Sequence, residues 1–336
     1  MTTIIFSMPP TNQRPLVIAH RGACGYRPEH TLAAFELAVE MGADAIETDL
    51  VPTRDGVLIC RHDAELSLTT DVADRAEFAD RRTYNEIEGV QLEGWFVEDF
   101  TWDELRTLRA RERWPFRDHS YDGQFGIVSL VELLEFRKRA RTPGGEQIEL
   151  FLELKHPAYF ATRCIDVARL VRDAVFDHRF FVHIQSFEES VLLSLVRSRL
   201  PLIQLIDAVA TRPFDFTLRN DPRTFGDFIT PYGLSRMAEW ASGIGVWKRL
   251  IVPAQTPDAD AVAEKPVLLA PATSLIADAH AAGLKVHAWT FRSEPAFLAE
   301  DYQGDPQREY QQFCELGVDG FITDFPDVAG RAVRRT

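Results

Sequence analysis

The chain has only four cysteines in 336 residues, and Cys24, Cys60, Cys164 and Cys314 lie far apart, with no CxxC spacing among them. That excludes a disulfide scaffold and a cysteine-based metal site as organising devices. Free thiols buried in apolar surroundings are the expectation, as in a reducing compartment. Basic residues are also in deficit: 37 Lys and Arg stand against 51 Asp and Glu, for a formal charge of −14. Such a field repels nucleic acid and anionic membrane, so no nucleic-acid partner and no stable membrane association are expected. Long apolar runs are missing as well. Met1 to Pro10 offers only Ile4, Ile5 and Phe6 in a row and no basic leader, which reads as neither a signal peptide nor a span and predicts a cytoplasmic location. There is no internal repeat and no low-complexity tract. Composition says nothing of the oligomeric state.

What is present is enough apolar residue, 46% of the chain, to bury a large core. Short apolar runs recur with helical patterns between them. Strands are predicted at Leu16 to His20, Ala45 to Pro52, Ile148 to Lys155, Phe181 to Ser186, Leu202 to Asp207, Gly243 to Trp247, Lys285 to Phe291 and Gly320 to Asp324. Thr31 is placed to cap a first helix whose apolar stripe is Leu32, Phe35, Ala38 and Val39. Further helices are predicted near 130–140, 165–175, 189–199, 234–241, 270–282 and 310–316. Strand and helix alternating in this way predict an α/β fold of the (β/α)8 TIM-barrel type, a single domain over 1–336. Residues 64–126 break the alternation. With one modest helix predicted near Trp102 to Leu108, they read as a small inserted cap between strand two and helix two, over the mouth.

Catalytic groups of such barrels sit at the C-terminal ends of strands, and the reactive residues here obey that rule. His20 ends strand one, Glu47 and Asp49 lie toward the end of strand two, Glu153 and Lys155 end strand three, and Trp289 lies near the end of strand seven as a candidate pocket wall. Glu47 and Asp49, two apart on a strand, point the same way and can chelate one ion. Glu153 supplies a third carboxylate, and an all-oxygen set suits Mg²⁺ or Ca²⁺ rather than zinc. Without a cation each acid would repel a phosphodiester by roughly 4 kcal/mol at 4 Å for an effective dielectric near 20. Arg21 and Lys155 are candidates for gripping phosphate oxygens. His20 and His62 are a candidate proton-transfer pair, with the order of acid and base left open. Glu29 is expected to orient Arg21 or reach a substrate hydroxyl, and Asp63 to hold its turn. His30, His183 and His287 are expected to be structural. A serine-hydrolase triad of Ser186, a histidine and Asp207 lacks a nucleophile elbow and is set aside. The aromatic segment Pro213 to Ile229 is expected to form a lid over the pocket.

The series VIAHRGACGYRPEHTLAAFELAVEMGADAIETDLVPTRDGVLICRHD, followed by LFLELKHP, IQSFE, VHAWTFR and GVDGFITDFPD, resembles the glycerophosphodiester phosphodiesterase family over nearly the whole chain. The resemblance implies a barrel with an inserted cap and divalent-cation-dependent hydrolysis of deacylated phospholipids to sn-glycerol 3-phosphate and an alcohol. It implies His20 and His62 as acid and base, Glu47, Asp49 and Glu153 as metal ligands, and Arg21 and Lys155 as phosphate contacts. The turn reads Pro28-Glu29-His30-Thr31 where the commoner family form has Asn at His30. The long insertion with TTDVADR, and a later TFRSE, is similar to the bacterial periplasmic-type branch, which is usually exported. Two rival readings share the barrel: a phospholipase D-like hydrolase of lysophospholipids, and a non-catalytic binder of phosphate ligands.

Overall fold

The computed structural model describes residues 14–254 and 268–334; the Met1 to Pro10 segment lies outside them. Eight parallel strands close into a barrel: β1 (Leu16–His20), β2 (Ala45–Pro52), β3 (Glu149–Leu154), β4 (Val182–Ser186), β5 (Leu202–Ile206), β6 (Gly243–Trp247), β7 (Lys285–Phe291) and β8 (Gly320–Thr323). Each pairs with its sequence neighbours, and β8 returns to β1. Both faces of every strand are therefore covered, which is why these segments read as apolar runs rather than as alternating ones.

Eight helices complete the units: α1 (Leu32–Glu40), α2 (Leu130–Arg139), α3 (Val167–Val175), α4 (Glu189–Leu195), α5 (Pro231–Met237), α6 (Leu275–Ala281), α7 (Pro306–Leu316) and α8 (Pro326–Val333). Local chemistry starts and stops them. Thr31 caps α1 by accepting from Ala34 N (3.1 Å), and α2 opens on a reciprocal box in which Ser129 Oγ accepts from Glu132 N while Glu132 accepts from Ser129 N. Gly317, at a φ of +87°, ends α7 in the left-handed conformation that favours glycine. The helix α8 was not among those expected. Its Pro326 at the first turn and its buried Val328, Ala329, Ala332 and Val333 account for it.

Inside the barrel, Ile18, Ala45, Phe151, Ile203 and Ile322 form the apolar plug, and two larger clusters fill the space between strands and helices. Polar residues occupy the layer above the plug, at the mouth.

Between β2 and α2 the chain first folds back as Leu58–Cys60, antiparallel to the end of β2. It then builds a cap from a two-stranded hairpin, Thr83–Ile87 with Val90–Gly94, and a one-turn helix, Trp102–Leu105. Its buried apolar residues, including Leu66, Val72, Phe78, Phe96, Phe100 and Leu108, join the core cluster that continues between the barrel strands and helices.

Three expectations need correction. Cys164 is exposed rather than buried. The Pro213 to Ile229 segment is no lid: it forms two short helices, Phe214–Leu218 and Phe225–Phe228, whose Phe216, Phe225 and Phe228 are buried in the core. Burial of those rings outweighs any gain from leaving them over a cavity, at about 1.5–3 kcal/mol for each buried phenyl group. Asp63 lies outside regular structure, and its side chain goes to His62 and Arg113 rather than to a turn. Among the described residues no helix is long and apolar enough to cross a membrane.

Candidate active site

The acids come from adjacent strands. Parallel register sets Glu47 beside His20 of β1, Asp49 beside Glu153 of β3, and Glu153 beside Gln185 of β4. One oxygen from each of Glu47, Asp49 and Glu153 lies within 4.8 Å of the others, and all three residues are buried. Gln185 donates to Glu47 Oε1 (3.1 Å), while its own Oε1 is buried without a partner.

Crowding governs their protonation. Desolvation, then the charges of Asp49 and Glu153, hold Glu47 well above the usual carboxylate range. Desolvation also lifts Glu153 to about 8, against the pull of Lys155. Asp49 is buried too, which by itself would push it up, yet Arg21, His62 and His30 hold it well below the usual range.

Arg21 sits in the loop after β1 at a φ of 56°. Gly22 beside it has a φ of +83°, and an added Cβ would lie 2.7 Å from the Ala34 backbone, so only glycine lets this loop close on α1. The Arg21 backbone N–H donates to Glu47 Oε2 (3.1 Å). Its guanidinium pairs with Glu29 (3.0 Å) and Asp49 (3.1 Å), so Glu29 does orient Arg21. Lys155, just past β3, places Nζ 2.7 Å from Glu153 Oε1 and 3.3 Å from His62 Nε2.

The two candidate histidines are held alike. His20 Nδ1 is 2.6 Å from Asp324, which follows β8, and His62 Nδ1 is 2.7 Å from Asp63. Asp324 and Asp63 both lie below the usual carboxylate range, because nearby Arg and His groups outweigh their desolvation. Ionised carboxylates accept, so each imidazole donates from Nδ1 and keeps Nε2 as the working nitrogen. Desolvation, with Arg21 and Lys155, pulls His62 down to about 3. Desolvation and Arg21 lower His20 as well, against its bond to Asp324. Both rings are therefore neutral near pH 7.

A cavity of about 330 Å³ opens at the mouth, lined by His20, Arg21, Glu47, His62, Glu153, Lys155 and Trp289 among others. Seven of the eight candidate residues thus face one space, and the eighth, Asp49, pairs with Arg21, which lines it. Trp289 is a wall of that space: its ring meets Phe187 edge-on, and its indole N–H is buried without a partner. His30 has a more specific place than expected. Its Nε2 lies 3.0 Å from Asp49 and its Nδ1 2.8 Å from Thr48, so it supports one of the acids from behind. Ser186 donates its hydroxyl to the Leu154 carbonyl (3.0 Å), which leaves no nucleophile for a triad.

Several residues that complete the site carry no signal in the spacing of the sequence. Asp324 lies inside the TDFPD motif but, without a view of His20, has no assigned role. Arg292, Trp247, Trp114 and Phe297 also line the cavity, the last two stacked edge to face (5.7 Å) across the cap and the loop after β7. In the aromatic run Trp114-Pro115-Phe116 both rings pack on Phe297.

Comparison with known proteins agrees with this geometry. The model of the glycerophosphoryl diester phosphodiesterase family matches residues 20–328. A glycerophosphodiester phosphodiesterase of Arabidopsis thaliana is 34% identical over 340 residues, covering 94% of this chain and 85% of that protein. One from Haemophilus influenzae is 25% identical, covering 93% and 88%. Among solved structures, a putative glycerophosphoryl diester phosphodiesterase from Silicibacter pomeroyi superposes with a TM-score of 0.66 at 23% identity, covering 96% of this chain and 94% of that one. A phosphodiesterase from Oleispira antarctica, solved with the product sn-glycerol-3-phosphate, gives 0.61 at 20% identity, covering 96% and 97%. With the family model spanning the barrel from His20 to α8, the chain belongs to the glycerophosphoryl diester phosphodiesterase family and is an enzyme of that class.

Proposed function

We propose that the protein hydrolyses glycerophosphodiesters to sn-glycerol 3-phosphate and an alcohol, with His20 and His62 as the proton-transfer pair and Mg²⁺ or Ca²⁺ as cofactor. The observation that carries this reading is the convergence at one cavity of two carboxylate-held imidazoles and a cluster of three buried carboxylates, two of which line it. The donor set fits a hard cation: all its atoms are oxygens, they lie within reach of one another, and Gln185 offers a further unpartnered oxygen beside them. A divalent ion on Glu47, Asp49 and Glu153 supplies Lewis acidity and turns the net charge of the site positive toward a phosphate.

The side chains do the rest. Arg21, fixed by Glu29 and Asp49, holds phosphate oxygens in a set orientation, and Lys155 adds a second positive charge. One histidine takes the proton of the attacking oxygen at Nε2 as the new P–O bond forms. The other, which takes up a solvent proton at Nε2 when the anionic phosphate binds beside it, delivers that proton to the departing alkoxide as the old P–O bond breaks. In the order we favour, the neighbouring glycerol hydroxyl attacks first, and water then opens the cyclic phosphate with the histidine roles reversed. Trp289 walls the space the substrate would fill.

The lipid reading loses its support, because the aromatics of 213–229 that would have faced a membrane are spent in the core. The test is a panel of glycerophosphodiesters carrying choline, ethanolamine, glycerol or inositol, each with Mg²⁺ and with Ca²⁺, scored by release of glycerol 3-phosphate. Turnover of at least one diester is expected. Tight binding with no turnover under any divalent ion would favour the non-catalytic binder and overturn the proposal.

A further inference from the structure

We infer that Arg113 and Arg117, both from the cap, are positioning residues that lock the carboxylates behind His62 and His20, so that seating one stretch of the insertion completes both proton-transfer groups. This rests on the reading of His20 and His62 given above. The geometry is the same on the two sides. Asp63 uses Oδ1 for His62 Nδ1 (2.7 Å) and Oδ2 for Arg113 Nη2 (2.6 Å). Asp324 uses Oδ1 for His20 Nδ1 (2.6 Å) and Oδ2 for Arg117 Nη2 (2.6 Å). The two arginines are four residues apart in a segment outside helix and strand, and their side chains are only 14% and 5% exposed.

Each is anchored a second time on the barrel. Arg113 forks onto Glu29 through Nε (2.8 Å) and Nη2 (2.9 Å), and Glu29 is the same carboxylate that orients Arg21. Arg117 donates from Nε to Glu294 (2.7 Å) and from Nη1 to the Cys24 carbonyl (3.1 Å). A carboxylate bonded to imidazole through one oxygen is free to swivel. With a guanidinium on the other oxygen its plane is fixed, it stays ionised, and the imidazole is held in the Nδ1–H tautomer. The two sides differ in one respect: Asp324 also accepts from Arg292 Nε (3.1 Å), whereas among the described residues Arg113 alone covers the outer oxygen of Asp63.

Alanine and lysine variants of each arginine test this. Groups that orient metal-held histidines typically carry 10- to 100-fold of activity, and the same scale is taken for the arginines that fix Asp63 and Asp324. Arg113→Ala should therefore lower kcat about 100-fold and Arg117→Ala about 10-fold, the smaller loss reflecting Arg292, with KM within about twofold of the parent in both. The lysine variants keep the charge and lose the fork, so intermediate kcat values are expected. They carry the test where an alanine variant does not fold.

A second readout needs no substrate. Nitrogen-15 histidine spectra of the parent should show His20 and His62 protonated at Nδ1, assigned through His20→Gln and His62→Gln. Arg113→Ala should disturb His62 alone, and Arg117→Ala His20 alone. His62 is faced by Asp63, Arg21, Lys155 and Asp49, and His20 by Asp324, Arg21 and Arg292. Removing one arginine leaves the adjoining carboxylate uncompensated, so the affected histidine should titrate at higher pH. Parental kcat with a raised KM, or undisturbed Nδ1–H signals in both alanine variants, would reduce the cap to a seal and overturn the inference. A parent inactive on every glycerophosphodiester would sink the proposed reaction, while the spectra would still decide the role of the arginines.

Discussion

Glu47 and Glu153 reach the cavity, with Asp49 beside them, from strands paired on both sides, where register sets the position of each side chain. Arg113 and Arg117 reach it from an irregular stretch of cap that is placed by the ion pairs it makes, on Glu29, Asp63, Glu294 and Asp324. Strand register thus places the floor residues, while ion pairs, beside the packing of Trp114 and Phe116 on Phe297, place the two arginines. The floor crowds three acids against Arg21 and Lys155, whereas each acid facing the cap has an arginine at hydrogen-bond distance. This division lets a barrel keep its reacting groups rigid while the groups that orient them come from a separately built element, at the risk that removing one buried charge strands its partner.

The largest effect should come from the groups the two regions share. His20→Ala or His62→Ala is expected to lower kcat by at least 10²-fold, the usual contribution of a placed acid or base, with only a small change in the thermal midpoint. Initial rates and a melting curve on the same preparations check this. A variant keeping more than a tenth of parental activity would place proton transfer elsewhere.

A smaller and more gradual effect separates floor from cap directly. Because Glu153 titrates at about 8 and Glu47 also lies above the usual range, the cation-free floor holds protons at pH 7. Binding a divalent ion must expel them, so affinity should strengthen as pH rises from 7 through 8, by up to about tenfold per pH unit for each proton released. Calorimetric titration of Mg²⁺ or Ca²⁺ in two buffers of different ionisation enthalpy measures the release. Chelation should abolish activity and added cation restore it. Binding without proton release at pH 7 would mean that the floor acids are already ionised and that the contrast drawn above is false.

The same contrast explains what could be read from the sequence. The eight barrel strands were legible because a strand buried on both faces is a short apolar run whatever its neighbours. The floor residues were legible because charges ending such runs are costly without a purpose. Neither signal exists for the cap. Arg113 and Arg117 stand in a stretch that also contains Arg109 and Arg111, and nothing local separates the arginines that turn inward from those that do not. Asp324 follows a strand predicted correctly, but its bond to His20 spans the whole length of the chain and shows only when β8 closes on β1. The Phe214 to Phe228 segment misled for a related reason: aromatic content marks burial but does not say against which surface.

The smallest expected effect concerns His30, beneath the floor. Its Nε2–H donates to ionised Asp49 and its Nδ1 accepts from Thr48, so the ring is neutral, and desolvation holds it down at about 4. In the unfolded chain it titrates near 6.5. A folded value below the unfolded one means that the unfolded state takes up the proton first as pH falls. The contribution is fully present above about pH 6.5 and is lost progressively down to about 4, reaching roughly 2 kcal/mol at pH 5 and ~3 kcal/mol at the lower limit. His30→Asn removes the titration and suits the backbone, since a φ of 59° is one that asparagine adopts readily. The variant should unfold in urea at close to the parental midpoint at pH 7 and at a higher one at pH 5. Parallel declines from pH 7 to 5 in parent and variant would mean that His30 takes up its proton without leaving its place, and that the floor under Asp49 is not the acid-sensitive part of the barrel.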